Sequence, residues 1–260
     1  MSRLNEDKSL LEKLYKEQLQ THSDIYLFDH SRNSAVIQRH IEAFYRYKMV
    51  VPKSARVLDW GCRHAVDSCL MRRAFGDEIE LYGCDVGNNI YSAFHDYAQL
   101  KYSQITHSYL LPYEANYFDV VVGSGVLEHV PDESASLREL YRILKPEGVL
   151  VITFLPNSSS YSELINRFLG NFYHVRRYRL KQIRRCLLQH GFMPVLSGYH
   201  QVMPTLSSGM ALANYSVIRR CIEAIYNMNY FMERVWPIKT FAANIFIVSK
   251  KKTYFSDSWN

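Results

Sequence analysis

No uninterrupted apolar run in the 260 residues approaches the ~20 that a bilayer-spanning helix needs. The opening MSRLNEDKSLLEKLYKEQ is charged and helix-like, without the apolar core of a signal peptide. A cytoplasmic location is the expectation. Cysteine is sparse: Cys62, Cys69, Cys84, Cys186 and Cys221 are an odd, scattered set with no C-x-x-C pair, so neither a disulfide framework nor a zinc site is indicated. Three of them lie in or beside apolar segments, as small core residues do. Internal repeats and low-complexity linkers are also missing, which leaves one domain with embellishments. Glycine is missing at one informative place. RVLDWGCRHAVDS (56–68) reads as a buried strand, an acid, a glycine turn and a helix, the way a nucleotide-type cofactor site begins. Arg63 and Ala65 stand where further glycines would be expected.

The composition, 48% hydrophobic and 22% charged, is that of an ordinary globular protein long enough for a substantial core. A net charge of +6 suits a phosphate, nucleic-acid or anionic-membrane partner and proves none of them. Helices are expected over 5–20 and 33–48; in the second, Ile37, Ile41, Phe44 and Met49 recur near helical spacing. After Pro52 an alternation begins. Strands are expected at 56–60, 79–86, 117–125, 148–156, 192–199 and 241–251, and helices at 65–75, 89–100, 132–144 and about 178–190, the last ending at Gly191. Such alternation implies crossover units: an α/β, doubly wound, mostly parallel sheet with helices on both faces. One domain spanning 1–260 follows, with an N-terminal helical cap (1–50), a core (51–202), a helical insert (203–240) and a final strand (241–251). Within the insert, Ile218, Ile222, Ile225, Met232 and Val235 fall near one helical face. They suit a packed helix pair, or a lid or membrane-surface element presenting Tyr226, Tyr230, Phe231 and Trp236.

In an open parallel sheet, ligands sit beyond the carboxyl ends of the strands where the strand order reverses. Asp59 and Gly61 belong at that edge, and Gly61 lets the backbone approach a ligand. Asp85, ending the second strand, is placed to accept hydrogen bonds from both hydroxyls of a ribose.

The segments VLDWGC, LYGCDV, LPYEANYFDVVVGSGVLEHVPD, LRELYRILKPEGVLVIT and HVRRYRLKQIRRCLLQHGF, in this order and spacing, resemble a class I S-adenosylmethionine-dependent methyltransferase. The likeness is to the small-molecule enzymes with an L-E-H-V element after the fourth strand. It covers about residues 50–200 and the final strand. It implies a seven-stranded sheet with the last strand antiparallel, and S-adenosylmethionine as cofactor. By that resemblance Asp59, Gly61, Cys62 and Arg63 line the methionine end, Asp85 holds the ribose and Val86 lies against adenine. Ser108 and Tyr109 fall in the adenine-side loop, and Ser124, Gly125 and Val126 lie beneath the sulfonium. The chain departs from the family's D-x-G-x-G-x-G turn at Arg63 and Ala65. Left-handed backbone at a non-glycine residue costs about 1–2 kcal/mol. The chain also carries His107 where an acid often reads the adenine amino group; an imidazole nitrogen can accept the same bond.

Methyl transfer from a sulfonium needs alignment above all, and a hydroxyl acceptor also needs a base. His129 in LEHV is the first candidate, with Glu128 beside it to orient it; His174 with Tyr173, and His200, are others. No metal is expected. The run VRRYRLKQIRR (175–185) carries six positive charges, fitting a solvated helix face or a phosphate-bearing substrate; without an RNA-binding module, nucleic acid is a minor reading. The expected activity is methylation of a small molecule or glycan at oxygen, in biosynthesis. The alternatives are a non-catalytic binding protein of the same fold, and an RNA or protein methyltransferase. Peripheral membrane contact is also compatible with the insert.

Overall fold

Odd and even residues of the central strands enter two different cores. Val57, Val120, Val122, Val149 and Val151 pack on one face, and Leu58, Trp60, Val121, Leu150 and Ile152 on the other, as the two-residue period of a strand dictates. A computed structural model describes residues 3–22, 25–88, 90–168, 176–203, 220–221 and 224–253. Its strands are β1 (Arg56–Trp60), β2 (Glu80–Asp85), β3 (Lys101–Gln104), β4 (Phe118–Ser124), β5 (Leu144–Pro156), β6 (Phe192–His200) and β7 (Asn244–Lys251). They form one seven-stranded sheet in the order β3-β2-β1-β4-β5-β7-β6. β1 to β5 pair in parallel, and β7 runs antiparallel to both β5 and β6. The order reverses between β1 and β4, which opens the crevice expected of this architecture.

The first face is covered by α1 (Arg3–Thr21), α2 (Ile25–Arg32), α3 (Ser34–Tyr47), α4 (Val66–Phe75) and α5 (Ser92–Ala98). In α3, Ile37, Ile41 and Phe44 are buried as their spacing requires. Met49 is 89% exposed, contrary to expectation, because the helix ends at Tyr47 and a 3-10 turn carries Met49 off the apolar stripe. Asn33 caps α3 through its side-chain oxygen. The other face carries α6 (Glu133–Ile143), capped by Asp132, and α8 (Leu180–Gln189), which gives way to Gly191 at φ +82°. α7 (Tyr161–Phe168) follows β5.

Residues 204–219 and 222–223 of the insert lie outside the described residues, Ile218 and Ile222 with them; Ile225 and Val235 are exposed. Among the described residues of the insert the buried side chains are Tyr226 and Asn229, the latter in the short α9 (Asn229–Met232). Tyr226 and Asn229 both donate to Glu42 of α3, and Glu233 accepts from Asn229, Gln201 N–H and Arg46. These polar contacts hold the described part of the insert to the N-terminal cap. Among the described residues, no helix is long and apolar enough to cross a membrane.

Candidate active site

The turn after β1 is stitched to the end of β2. Gly61 N–H and Cys62 N–H both donate to Cys84 O, at 2.8 and 3.1 Å. Arg63 N–H donates to Asp85 Oδ2 at 3.0 Å, and Gly87 N–H to Asp85 Oδ1 at 2.8 Å. Each carboxylate oxygen of Asp85 keeps lone-pair capacity for another donor. That pair of acceptors suits a vicinal pair of hydroxyls such as a ribose presents.

Three residues of the turn have left-handed backbone: Gly61 (φ +68°), Arg63 (φ +41°) and Ala65 (φ +57°). The chain thus keeps the turn's shape with one glycine, at a cost of about 1–2 kcal/mol for each non-glycine residue. Glycine is required at 61 on a second ground, since a Cβ there would lie 2.6 Å from Val126 Cγ2. Compensating contacts surround the other two. His95 Nε2 bonds Arg63 O at 3.0 Å. The buried His64 ring packs on Tyr91, Phe94 and Tyr15, tying the turn to α5 and α1. The Arg63 side chain is exposed and Cys62 is buried.

Behind the turn lies a buried polar row on the α3–α4 face. Asp59 accepts from Ser68 Oγ at 2.7 Å. Asp67 accepts from Tyr47 Oη and, at 2.8 Å, from Ser124 Oγ, which reaches Thr153 Oγ1 at 2.8 Å. Burial first, then the nearby Asp67, pushes the Asp59 carboxyl up to about 8. Burial also raises Asp67 against the hydrogen bonds that lower it. Two neighbouring buried acids favour holding a proton between them, and a cation brought to this end would displace it. Asp67 and Thr153 were missed in the sequence because they come from α4 and β5, with no local motif.

The loop after β3 is fixed to α6. Leu111 N–H donates to Glu139 Oε1, and Arg142 Nη2 donates to Leu111 O and Tyr113 O. The Ser108 hydroxyl is engaged with Ser136 Oγ at 3.0 Å and turned towards α6. His107 is exposed, bonded through Nδ1 to Thr106 Oγ1, with its ring 5.2 Å from that of the half-buried Tyr109. Val86 is exposed at the carboxyl end of β2.

Across the crevice, Ser124, Gly125 and Val126 lead from β4 into a turn that carries Glu128 and His129. Glu128 is 3% exposed and its Oε1 lies 3.8 Å from His129 Nε2, while the His129 side chain is 58% exposed. Burial pushes the Glu128 carboxyl up to about 7, the range suited to a proton acceptor at neutral pH. His200 does not open into this space; it is buried, with Nδ1 on Glu233 at 3.1 Å and Nε2 on Arg39 O at 3.1 Å. Tyr173 and His174 lie outside the described residues. Among the described residues no cluster of His, Cys, Asp and Glu could hold a metal ion.

Of the basic run, Arg176 binds Val130 O and Pro131 O, and Arg177 pairs with Glu163 at 3.2 Å. Lys181, Arg184 and Arg185 line an open groove of about 530 Å³ with Leu180, Leu188 and Tyr199, which includes no residue of the turn.

Residues 28–197 match a family model described as a methyltransferase domain. Demethylmenaquinone methyltransferase of Listeria welshimeri is 34% identical over 128 residues, covering 46% of this chain and 54% of that protein. Its namesake in Staphylococcus epidermidis is 34% identical over 107 residues, covering 40% and 44%. The matched region is thus about half the length of these relatives. Among solved structures, a SAM-dependent methyltransferase of Methanosarcina mazei superposes with a TM-score of 0.58 at 13% identity, covering 80% of this chain and 98% of that one. The cyclase SpnF superposes at 0.55 with 16% identity, covering 85% and 83%. At such identities the likeness is one of fold. The family match spans most of the chain, and with the sheet order it identifies the chain as a member of the class I methyltransferase family, whose cofactor is S-adenosylmethionine.

Proposed function

We propose that the chain transfers a methyl group from S-adenosylmethionine to a hydroxyl of a small molecule. The observation that carries the acceptor reading is Glu128: a carboxyl buried at the carboxyl end of β4, next to Gly125, with Oε2 lacking a hydrogen-bond partner. In this reading Asp85 takes the ribose hydroxyls, Val86, His107 and Tyr109 border the adenine, and Ser108 contributes through its backbone. Asp59, Gly61, Cys62 and Arg63 receive the methionine end, with Ser124 and Val126 beneath the sulfur. The bound cofactor supplies an activated methyl group, so the protein's tasks are to align the acceptor and to take its proton. Glu128 takes the proton, and His129, 3.8 Å from it, leads it to solvent.

The relatives named for demethylmenaquinone support a small-molecule acceptor. Glycan and phosphate-bearing acceptors draw support only from the groove at Lys181, Arg184 and Arg185. Peripheral membrane contact would use the exposed Tyr230, Phe231 and Trp236. The test is transfer of labelled methyl from S-adenosylmethionine to fractionated small molecules, glycans, RNA and protein, followed against pH. Label is expected in hydroxylated small molecules, at a rate that rises through about pH 7 as Glu128 loses its proton and that falls at least tenfold in Glu128→Gln. Label confined to RNA or protein contradicts the proposal.

A further inference from the structure

Two side chains on the cap side of the crevice lack the partners that burial normally demands. Neither ring nitrogen of His40 on α3 has a hydrogen-bond partner and both are shut off from water; the same holds for Glu128 Oε2. Such an atom has given up its water with no bond in exchange, and in native proteins it calls for an explanation such as a ligand. Phe154 links the two. Its ring centroid is 4.8 Å from that of His40, with the planes inclined at 50°. On the other side, its Cβ and Glu128 Oε1 both approach the point where a Cβ on Gly125 would stand, at 3.8 and 3.7 Å.

The backbone of Phe154 is itself exceptional. Its φ is +58°, and the β5–β7 register is interrupted around it, between Ile152 and Leu155. Positive φ at a bulky aromatic residue is an outlier, and bulges that re-aim a side chain gather at functional sites. Here the ring is aimed at α3, where it also lies 5.5 Å from the Arg39 guanidinium.

We infer that His40, Phe154 and Glu128 form the acceptor half of the substrate site, and that the acceptor is a flat, unsaturated molecule bearing a weakly acidic hydroxyl. This inference rests on the methyl-transfer reading above. The partly buried Phe154 ring, flanked also by the His200 ring at 5.7 Å, offers an apolar face to a planar body, and the His40 imidazole and the Glu128 carboxylate bracket its hydroxyl. As the hydroxyl oxygen bonds to the methyl carbon, the carbon–sulfur pair returns to sulfur and the hydroxyl proton passes to Glu128. His40 is held neutral, with one donor and one acceptor nitrogen: burial, with Arg39, His30, His200 and His64 around it, keeps its pKa well below the ordinary value.

The test uses 2-naphthol and naphthalene as probes, titrated by fluorescence into full-length protein saturated with S-adenosylhomocysteine. Binding of 2-naphthol at least tenfold tighter than naphthalene is expected. A nitrogen shift of the His40 ring in spectra of 15N-histidine protein should accompany 2-naphthol binding. His40→Leu should abolish the preference and His40→Gln restore part of it, with S-adenosylhomocysteine affinity held within twofold in both. Equal affinity for the two probes in the wild-type protein, or an unmoved His40 signal, overturns the inference while leaving methyl transfer standing. Failure to bind S-adenosylhomocysteine at all overturns both.

Discussion

The backbone N–H of Arg63 donates to Asp85 Oδ2 at 3.0 Å, so the turn after β1 and the acid ending β2 form a single hydrogen-bonded unit. Arg63 makes this contact from left-handed backbone. In Arg63→Gly the donor remains and the strain of about 1–2 kcal/mol is relieved, offset by about 0.5–1 kcal/mol of extra chain entropy. Urea unfolding should therefore find the variant as stable as the wild type or up to about 1.5 kcal/mol more stable. A loss of stability, the usual result of placing glycine, would contradict the strain.

Gly61 is the opposite case. Gly61→Ala combines left-handed strain with a Cβ 2.6 Å from Val126 Cγ2. A loss of about 2–4 kcal/mol is expected. Val126→Ala in the same chain should recover part of it, giving a coupling energy that a double-mutant cycle reads directly.

The buried acids predict a pH signature. Asp59 holds a proton in the folded protein up to about pH 8, whereas the unfolded chain releases it near 4. Its contribution to stability is fully present below the unfolded value and lost as pH rises through about 8. One proton of difference gives a slope of about 1.4 kcal/mol per pH unit. Asp59→Asn should flatten the decline in unfolding free energy between pH 6 and 8.

Glu233 behaves with the reverse sign. Burial would raise its carboxyl, but His200, Arg46 and the Gln201 N–H outweigh burial and bring it down to about 2. Its stabilisation is present above the unfolded value near 4.5 and is lost as pH falls through about 2. Because Glu233 joins α3, the end of β6 and the insert, Glu233→Gln should lower stability at pH 7 by about 3–5 kcal/mol, as loss of one partner of a buried ion pair does. The loss should shrink on acidification, which calorimetric melting at pH 7 and pH 3 would show.

Much of the sheet was legible because β1, β4 and β5 are buried on both faces and read as apolar runs. β3 was not, since Lys101–Gln104 is a half-exposed edge strand with no apolar pattern. α2 and α7 are eight-residue helices that local spacing did not reveal. At the candidate site, Asp59, Gly61 and Asp85 stood out because strand, acid and glycine follow one another in the chain. Asp67 in α4, Thr153 and Phe154 in β5, and His40 in α3 come from three elements and meet only when β4 and β5 pair and α3 packs over them. The left-handed conformation of Arg63 and Ala65 answers the question their presence raised, since at those two positions the turn is held by contacts from α1, α5 and Asp85 rather than by further glycines.

Calorimetric titration with S-adenosylmethionine and S-adenosylhomocysteine, on the wild type and on Asp85→Ala, tests the central claim most directly. Micromolar binding of both ligands is expected, weakened at least tenfold in the variant. No binding to the wild-type protein, or equal binding to both proteins, would contradict the assignment of the Gly61–Asp85 unit to the cofactor.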